Sequence, residues 1–335
     1  MNSSNPSLLL ILMFLLTSAC SCFAAGERSF GREWVPLSEW AQENNFKLSC
    51  AGRDESLLSD NELWTLSFKT DSQEASINGV NVWLCNPITP REGRICISAL
   101  DLTKSIEPIL FGKTNLDTEI RTICLDPGHG GKDTGGIFGQ YIEKHYTLPL
   151  AQELASQLEA AGFKVIQTRT NDSRVELENR PAIANLQRAD LFISLHFNVG
   201  PPGASGVEVY CLTPPRANST NKEQWGHLEG WVNSTGPLPG NRCDDQNEIF
   251  AYELQKSLIK NLRMTDRGLR RARFAVLRTA KMPAVLIEGG FLTDSEDQKK
   301  IADPKYRSQL AAAIVQGVSD YMHLAENHQS TLKLK

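Results

Sequence analysis

Residues 122–131 read TICLDPGHGG, an apolar segment that runs into a glycine-rich loop carrying His129. The apolar segment has the pattern of a strand, and a helical pattern follows the loop, so His129 is predicted to lie where a strand ends and the backbone turns sharply. Glycines flank the histidine because a tight loop that admits a ligand close to its backbone needs them. On its own this construction also fits a phosphate-binding loop or a structural histidine.

Two later segments repeat the construction, DLFISLHFN at 190–198 and PAVLIEGGF at 283–291. Each is a nearly continuous apolar run that ends in a titratable residue, His196 in the first and Glu288 in the second. Such runs are typical of central strands covered by helices on both faces, and in such sheets the site lies at the carboxyl ends of the strands. We therefore expect His129, His196 and Glu288 to converge.

Length and composition allow two domains with ordinary cores, since the chain has 335 residues and is 41% apolar. The formal net charge is −4 and the pI is about 5.9. A nucleic-acid-binding protein should carry a basic face, so no nucleic-acid partner is expected.

The N-terminal segment, residues 1–25, is predicted to be a signal peptide. Leu8 to Leu16 is apolar but shorter than the ~20 residues that span a bilayer, and Ala24 and Ala25 are candidate cleavage positions. No Lys or Arg precedes the run. A lipid anchor at Cys20 is the alternative, although Leu16 stands one position too early for the usual lipoprotein signal. Either way the chain is expected to be exported, to the periplasm or the cell envelope, without a transmembrane anchor.

Eight cysteines occur, and Cys20 and Cys22 belong to or adjoin the signal segment. The others permit disulfides in an oxidising compartment, with Cys85 and Cys96 as the best local pair across a turn-rich loop. Cys124 is predicted to be a buried strand residue. No CxxC spacing occurs, so a cysteine zinc site is not expected.

Residues 33–110 are predicted to form a small α+β module. Glu74 to Ile77, Asn78-Gly79 and Val80 to Leu84 have the pattern of a hairpin with a type I′ turn. The module loosely resembles the small N-terminal domain of copper amine oxidases, also found beside cell-wall hydrolase domains. No histidine precedes His129, so no copper site is inferred. Two interpretations stay open, a spacing domain and a wall-binding domain.

Residues 120–324 follow a polar linker and alternate strand and helix patterns. This alternation predicts an α/β domain, a twisted and mainly parallel sheet with helices on both faces. Gly162 is predicted to end one helix, and Pro181 to shift the start of the next. Residues 212–246 form a long polar insertion, and such loops are usually functional or disordered.

The chemistry-bearing motifs of this domain occur in one characteristic order. They are LDPGHGG, Glu143-Lys144, Thr168-Arg169, Arg180, Ala184-Asn185, SLHFN, GVEVY at 206–210, Arg267-Gly268, Val276-Leu277-Arg278 and MPAVLIEGGF. Over residues 120–322 the chain resembles the zinc-dependent N-acetylmuramoyl-L-alanine amidases of bacterial cell-wall metabolism. The resemblance implies that His129, Glu143 and His196 hold zinc and that Glu288 acts on the water. Phe197 stands where that family usually has a small residue, which is expected to narrow the groove.

These residue types suit the implied chemistry, since zinc accepts imidazole nitrogen and carboxylate oxygen and a nearby carboxylate can transfer the proton. Each also has a structural interpretation: Glu143 could suit a helix N-terminus, His196 a core, and Glu288 a pair with Arg278. Asp126 is expected to support the site as an outer hydrogen-bond partner or to fix the loop. Arg169 and Arg180 are expected to form structural ion pairs. The remaining histidines are expected at the surface, namely His145, His227, His323 and His328.

The expected reaction is hydrolysis of the amide bond between N-acetylmuramic acid and L-alanine of peptidoglycan, in wall remodelling, cell separation or recycling. Alternatives are a zinc carboxypeptidase-like peptidase, whose motifs would be spaced differently, and a catalytically silent wall-binding or regulatory relative. Some members of the family carry an inserted helix that blocks the zinc until an activator protein moves it. The candidates for such a blocking carboxylate in the 212–246 insertion are Glu223, Glu229, Asp244 and Asp245, although its Pro and Gly content argues against a long helix.

Overall fold

An eleven-stranded sheet forms the centre of the fold, and its strands carry both His196 and Glu288. The computed structural model describes residues 33–50, 55–59, 63–112, 120–220 and 236–333. These residues belong to one compact unit, Gly31–Lys335. The predicted signal segment lies outside the described residues.

The strands and helices alternate along the second half of the chain, as the sequence predicts. The strands are β1 (Trp34–Pro36), β2 (Lys47–Cys50), β3 (Glu55–Ser59), β4 (Thr65–Lys69), β5 (Glu74–Ile77), β6 (Val80–Trp83), β7 (Thr89–Arg91), β8 (Arg94–Ser98), β9 (Thr122–Pro127), β10 (Ile137–Phe138), β11 (Tyr141–Ile142), β12 (Lys164–Gln167), β13 (Leu191–Asn198), β14 (Val207–Leu212), β15 (Asp266–Ala272) and β16 (Ala284–Phe291). The helices are α1 (Leu37–Glu43), α2 (Ala99–Asp101), a π-helical turn (Leu102–Ile106), α3 (Glu107–Phe111), α4 (Lys144–Ala160), α5 (Asn179–Leu186), a 3-10 turn (Pro239–Cys243), α6 (Asp244–Leu262), α7 (Ala275–Arg278), α8 (Ser295–Ala302) and α9 (Pro304–Lys333).

The large sheet has the strand order β12-β9-β13-β16-β14-β15-β6-β5-β4-β3-β2. Strands β12, β9, β13 and β16 are mutually parallel, and β14 and β15 are parallel to each other. Only the β14–β16 pairing is antiparallel within this half of the sheet described here. The prediction of a mainly parallel sheet is therefore confirmed.

Helices cover both faces of this half, which explains why its central strands are apolar on both sides. On one face α4 contacts β9, β12 and β13, α6 contacts β14 to β16, and α9 packs across α4 and α6. On the other face α7 contacts β14 and β16 and packs against α5. Every residue of β16 is buried as a result.

The N-terminal region continues the same sheet, because β6 pairs with β15 at Val82 and Leu269. Its strands β2 to β6 are antiparallel. A separate small sheet, in the order β1-β8-β7, packs with α1 in the same region. Hydrogen bonds therefore cross the boundary predicted between residues 33–110 and 120–324, while the division into two domains stays a prediction.

Local turn and cap predictions agree with the structure. Asn78 and Gly79 connect β5 to β6 with φ of 49° and 79°, as a type I′ turn requires. Gly162, with φ of 96°, follows the end of α4. Helix α5 begins at Asn179, and Pro181 lies in its first turn, where the missing N–H removes no helical bond.

The predicted Cys85–Cys96 disulfide is wrong, since both cysteines are buried and free. Cys85 lies two residues after β6 of the large sheet, and its N–H donates to Asp101 Oδ1. Cys96 lies in β8 of the separate small sheet, opposite Pro36 and Thr89. The two ends of the turn-rich loop thus belong to different sheets. Cys124 is buried in β9, as predicted.

None of the helices in the described part of the chain combines the length and apolar character that a membrane crossing needs.

Candidate metal centre

His129, Glu143 and His196 come together, and ligand atoms from these residues lie within 4.8 Å of one another. Glu143 is the central residue of the group. Its Oε2 lies 3.0 Å from Nε2 of His129, and its Oε1 lies 2.8 Å from Nδ1 of His196. The two imidazole rings meet edge to face with centroids 4.8 Å apart. These three predicted ligands therefore form a site that could hold a metal ion.

The loop after β9 places His129, which has a left-handed φ of 60°. Nδ1 of His129 lies 2.9 Å from Oδ1 of Asp133, so the carboxylate fixes the ring and leaves Nε2 facing the other ligands. Gly128 makes room for the second histidine, because a Cβ at this position would lie 2.3 Å from the His196 ring. Asp133 was missed by the sequence analysis, although its spacing of four residues from His129 was a usable signal.

Glu143 stands directly before α4 and is buried. Backbone amides hold its carboxylate, since Gly136 N donates to Oε2 at 2.8 Å and Phe197 N donates to Oε1 at 3.2 Å. Gly135 permits this packing, because a Cβ there would lie 2.5 Å from Glu143 Oε2. Groups of the protein itself thus fix the Glu143 carboxylate from several sides.

Burial and hydrogen bonds shift the pKa values of His129 and Glu143 in opposing directions. Burial works to lower the pKa of His129, but its hydrogen bonds with Asp133 and Glu143 outweigh burial and raise the pKa from 6.5 to about 9. Burial works to raise the pKa of the Glu143 carboxyl, but hydrogen bonds with His129 and His196 hold that pKa well below its usual range. Glu143 is therefore a carboxylate, the form that binds a cation.

Glu288 lies beside this group, because it pairs with His196 across β13 and β16. Its side chain is on the same face as His196, and only 6% of the residue is exposed. Burial and the nearby Glu143 and Glu208 raise the pKa of Glu288 well above its usual range. Its Oε2 has no hydrogen-bond partner among the described residues. A buried carboxyl with one unpartnered oxygen, next to a metal-capable group, is typical of a catalytic position.

The buried carboxylate of Asp126 supports the loop that follows β9. Asp126 accepts hydrogen bonds from Thr168 Oγ1 at 2.6 Å, Ser194 Oγ at 2.8 Å and Arg180 at 2.8 Å. Arg180 also donates to the carbonyls of Pro127 and His129. Arg169 donates to the carbonyls of Pro127 and Gly128. The structural roles expected for these residues agree with the structure, although Arg169 binds carbonyls where an ion pair was expected.

Glu208 is a second feature that the sequence analysis missed. It lies opposite Glu288 in β14, is fully buried, and accepts from Asn198 Nδ2 at 2.6 Å and Tyr210 OH at 2.9 Å. Arg267 and Arg270 neutralise it at 3.1 and 3.0 Å. The GVEVY and Arg267-Gly268 motifs contained these residues, but nothing local in the sequence indicated that they meet.

Several sequence-based alternatives are not realised. Phe197 does not narrow the groove, because it points to the opposite face of β13, is buried, and packs on Tyr146. Nε of Arg278 donates to the carbonyl of Arg273 and not to Glu288. His145 and His323 are exposed as expected, while His227 and His328 lie outside what can be described at the side-chain level.

Two of the candidate blocking carboxylates are engaged elsewhere. Asp245 pairs with Lys104 at 2.8 Å, and Asp244 accepts from Asn241 Nδ2 at 2.9 Å. Both stand in the first turn of α6. Neither is therefore a blocking ligand. Glu223 and Glu229 lie outside the described residues.

Comparisons with known proteins agree on this region. The family model Amidase_3, described as N-acetylmuramoyl-L-alanine amidase, matches residues 123–320. The N-acetylmuramoyl-L-alanine amidase AmiC of Neisseria meningitidis is 34% identical over 218 residues, which cover 60% of this chain and 52% of that protein. The N-acetylmuramoyl-L-alanine amidase AmiA of Escherichia coli is 30% identical over 234 residues, which cover 64% of this chain and 80% of that protein.

A solved structure shares the fold as well. The catalytic domain of CwlV, an N-acetylmuramoyl-L-alanine amidase from Bacillus (Paenibacillus) polymyxa var. colistinus, is 26% identical with a TM-score of 0.50. The similarity covers 61% of this chain and 99% of that one. Because the family match begins at residue 123, strands β1 to β8 lie outside it.

Proposed function

The chain belongs to the N-acetylmuramoyl-L-alanine amidase family, and from that membership we propose that it cleaves peptidoglycan in a zinc-dependent reaction. The bond hydrolysed is the amide between N-acetylmuramic acid and the L-alanine of the stem peptide. One observation carries the proposal: Glu143 lies within 3.0 Å of His129 and 2.8 Å of His196, with Glu288 alongside in the next strand.

The donor set fits zinc. Two imidazole nitrogens and one carboxylate are the ligands of many catalytic zinc sites, which keep one position open for water or substrate. His129, Glu143 and His196 would hold the ion, and Asp133 would orient His129 as an outer hydrogen-bond partner. When bound, zinc polarises the scissile carbonyl and makes water a better nucleophile.

Glu288 is the proposed general base. It is close to the ligands but separate from the carboxylate that the two histidines share. In this role its carboxylate takes a proton from the attacking water and passes it to the departing α-amino group of L-alanine. Its buried surroundings raise the pKa of Glu288 above its usual range, which makes its carboxylate a stronger base and its acid form a usable proton donor to the leaving amine.

A catalytically silent wall-binding relative is the competing interpretation. Such a relative would be expected to lack a ligand or the base, whereas His129, Glu143, His196 and Glu288 are all in place. A zinc carboxypeptidase-like reaction is disfavoured by the family match over residues 123–320. The supporting features therefore favour an active amidase.

The direct test is product analysis on purified peptidoglycan. We expect release of intact stem peptides with a free L-alanine amino group, leaving uncleaved glycan strands, as identified by mass spectrometry. A chelator should stop the release and zinc should restore it. His196→Ala should lose zinc and activity together, because two remaining ligands rarely hold catalytic zinc. Release of single D-alanine residues or disaccharides would contradict the assignment.

The same proposal places the enzyme outside the cytoplasm, in the periplasm or cell envelope, where it would act in wall remodelling, cell separation or recycling. The supporting feature is the predicted signal segment 1–25, with a lipid anchor at Cys20 as the alternative form. Metabolic labelling with a fatty acid distinguishes these forms, since only the anchored one incorporates label and loses it in a Cys20→Ala variant.

An activator acting on the 212–246 insertion is the remaining part of the proposal. The insertion leaves β14 at Leu212, four residues beyond Glu208, so its root lies ~13 Å along the strand from the level of Glu288. A blocking segment must therefore reach back across the sheet from residues 221–235. Shortening 221–235 should raise basal hydrolysis if the segment blocks the site. The flanking Ser219, Thr220 and Asn241 should be kept. Ser219 and Asn241 hydrogen-bond to Thr213, directly after β14, and Thr220 hydrogen-bonds to Arg271 in β15. Unchanged hydrolysis in a folded variant would contradict autoinhibition.

A further inference from the structure

A polar strip lies on strands β3 to β6, on the face opposite the buried core of the N-terminal region. Its members are half-buried or exposed residues: Glu55, Ser67, Lys69, Glu74, Ser76 and Asn81. We propose that this strip binds peptidoglycan and extends the substrate groove of the catalytic region. The inference rests on the proposed function, because the polymer that reaches the strip is the one cleaved at the metal centre.

Register across the sheet places the strip on the catalytic face. A row of buried apolar residues crosses the strands from β16 to β4, in the order Ile287, Val209, Leu269, Val82, Ala75 and Phe68. Successive side chains of a strand point to opposite faces. The residues next to this row along each strand therefore point to the face opposite the row. They begin with Glu288 and Glu208 and end with Asn81, Ser76 and Ser67. Five strand spacings of ~4.8 Å give about 24 Å between the levels of Glu288 and Ser67.

Two cavities follow this row. The first has a volume of about 130 Å³ and lies where the two regions join, lined by Trp83, Arg267 and Arg270 among others. The second has a volume of about 420 Å³ and lies along the polar strip. Glu74, Ala75 and Asn81 line both. The two cavities are thus adjoining parts of one groove.

Arg267 links the groove to the catalytic residues. Its Nε donates to Glu208 Oε2 at 3.1 Å, and its guanidinium lies 4.8 Å from the centre of the Phe291 ring at the end of β16. Trp83 Nε1 donates to the carbonyl of Arg267, and Arg270 stacks 4.0 Å from the Trp83 ring. Arg267, Trp83 and Arg270 therefore form a fixed cluster between the catalytic residues and the strip. Arg267 also lines the cavity on the strip side.

The polar side chains of the strip are suited to binding peptidoglycan. Hydroxyl, amide, carboxylate and ammonium groups can serve both the hydroxyls and N-acetyl amides of a glycan and the carboxylates of stem peptides. Glu55 and Glu74 beside Lys69 exclude a polyanion such as nucleic acid, which requires a uniformly basic face. A polymer cut at one linkage must also continue beyond the catalytic site. The strip is the polar surface onto which such a strand can continue along the sheet.

Binding to insoluble peptidoglycan tests the strip. In a Glu288→Gln background, which prevents digestion, Ser67→Glu with Ser76→Glu should fill the strip and repel stem-peptide carboxylates. We expect the apparent Kd in a pelleting assay to rise about fivefold, which corresponds to the loss of one ordinary hydrogen bond. The matched control is Ser38→Glu with Thr89→Glu, which adds the same charge in the same region at residues that line neither cavity. The control should bind as the parent does.

A second measurement uses the catalytically active chain. The ratio of kcat/KM on insoluble peptidoglycan to kcat/KM on a soluble muropeptide should fall about fivefold in the double variant, by the same reasoning. An unchanged ratio together with an unchanged Kd would overturn the strip and leave the amidase assignment intact. Absence of cleavage of both substrates by the unaltered chain would instead overturn the proposed function. If the double variant does not fold, Lys69→Glu at an exposed position gives the same comparison.

Discussion

At the level of single residues, the two buried glutamates of the site differ in what holds them. Glu143 is bonded by both histidines and by two backbone amides, whereas one oxygen of Glu288 has no partner in the described chain. A carboxylate shared by two histidines fits the proposed role of a metal ligand. A carboxyl with a spare oxygen fits the proposed role of a group that exchanges a proton.

This difference predicts opposite phenotypes for two isosteric variants. Glu288→Gln should keep zinc and fold but lose turnover by ~10²–10⁴-fold, the usual effect of removing a positioned base. Glu143→Gln should lose zinc first, because a neutral amide is a poor ligand. Metal content and stem-peptide release should be measured on both variants side by side. Zinc loss in Glu288→Gln with zinc retained in Glu143→Gln would reverse the two roles, and near-normal turnover of Glu288→Gln would end the general-base assignment.

Gly128 gives a second residue-level prediction. A methyl group at this position would lie 2.3 Å from the His196 ring, so Gly128→Ala should displace that ligand. We expect zinc affinity to fall on the order of 10–100-fold, as when the support of a metal ligand is disturbed. Gly139→Ala is the control, since nothing lies within 4 Å of its Cβ even though its φ of +59° makes alanine strained. Equal zinc affinity in the two variants would show that the close approach to His196 has no effect on binding.

At the level of elements, the loop after β9 is held by a buried ion pair. Arg180 in α5 bonds to Asp126 in β9 at 2.8 Å, and both side chains are almost fully buried. Arg180→Ala would leave Asp126 uncompensated, so the free energy of unfolding should fall by ~3–5 kcal/mol. Arg174→Ala removes an exposed pair with Glu176 and should change it by less than ~1 kcal/mol. Urea denaturation of both variants compares these costs, and similar midpoints would contradict a structural role for Arg180.

The sequence predicted the strands that carry the site because their signals are local. The runs before His196 and Glu288 are apolar on both faces, and each ends in the residue that the structure places at the site. The loop glycines likewise indicated a close approach around His129. Glu143 was assigned through the resemblance to the family. Its isolated position before α4 fits a helix N-terminus equally well.

What the sequence did not predict depends on contacts between distant residues. The ion-pair group of Glu208 with Arg267 and Arg270 joins strands separated by more than fifty residues, and no periodicity encodes it. The Cys85–Cys96 pairing failed for a related reason, since the chain between them passes from one sheet to another. Local patterns assign an element, while its partner in the sheet is decided by packing.

At the level of the whole molecule, the shared sheet joins the N-terminal region to the catalytic region. The contact includes Asn81 N donating to Asp266 Oδ2 at 2.8 Å and Tyr252 OH donating to the carbonyl of Ile77 at 3.1 Å. Arg271, fully buried, pairs with Glu248 at 2.7 Å and donates to the carbonyl of Lys104. These bonds indicate that the two regions stabilise each other.

Removing the N-terminal region should therefore destabilise the catalytic one. A chain of residues 113–335 would expose the edge of β15, together with the apolar side of α6 that packs under β6. An exposed sheet edge also promotes aggregation. We expect a lower melting temperature and concentration-dependent aggregation compared with residues 31–335, measured by calorimetry and light scattering. A second comparison uses Val82→Asp in the longer chain, which buries a charge at the β6–β15 contact. This variant should also have a lower melting temperature. A truncated chain as stable and monomeric as the longer one would contradict this prediction. It would show that the two regions fold independently, although their strands belong to one sheet.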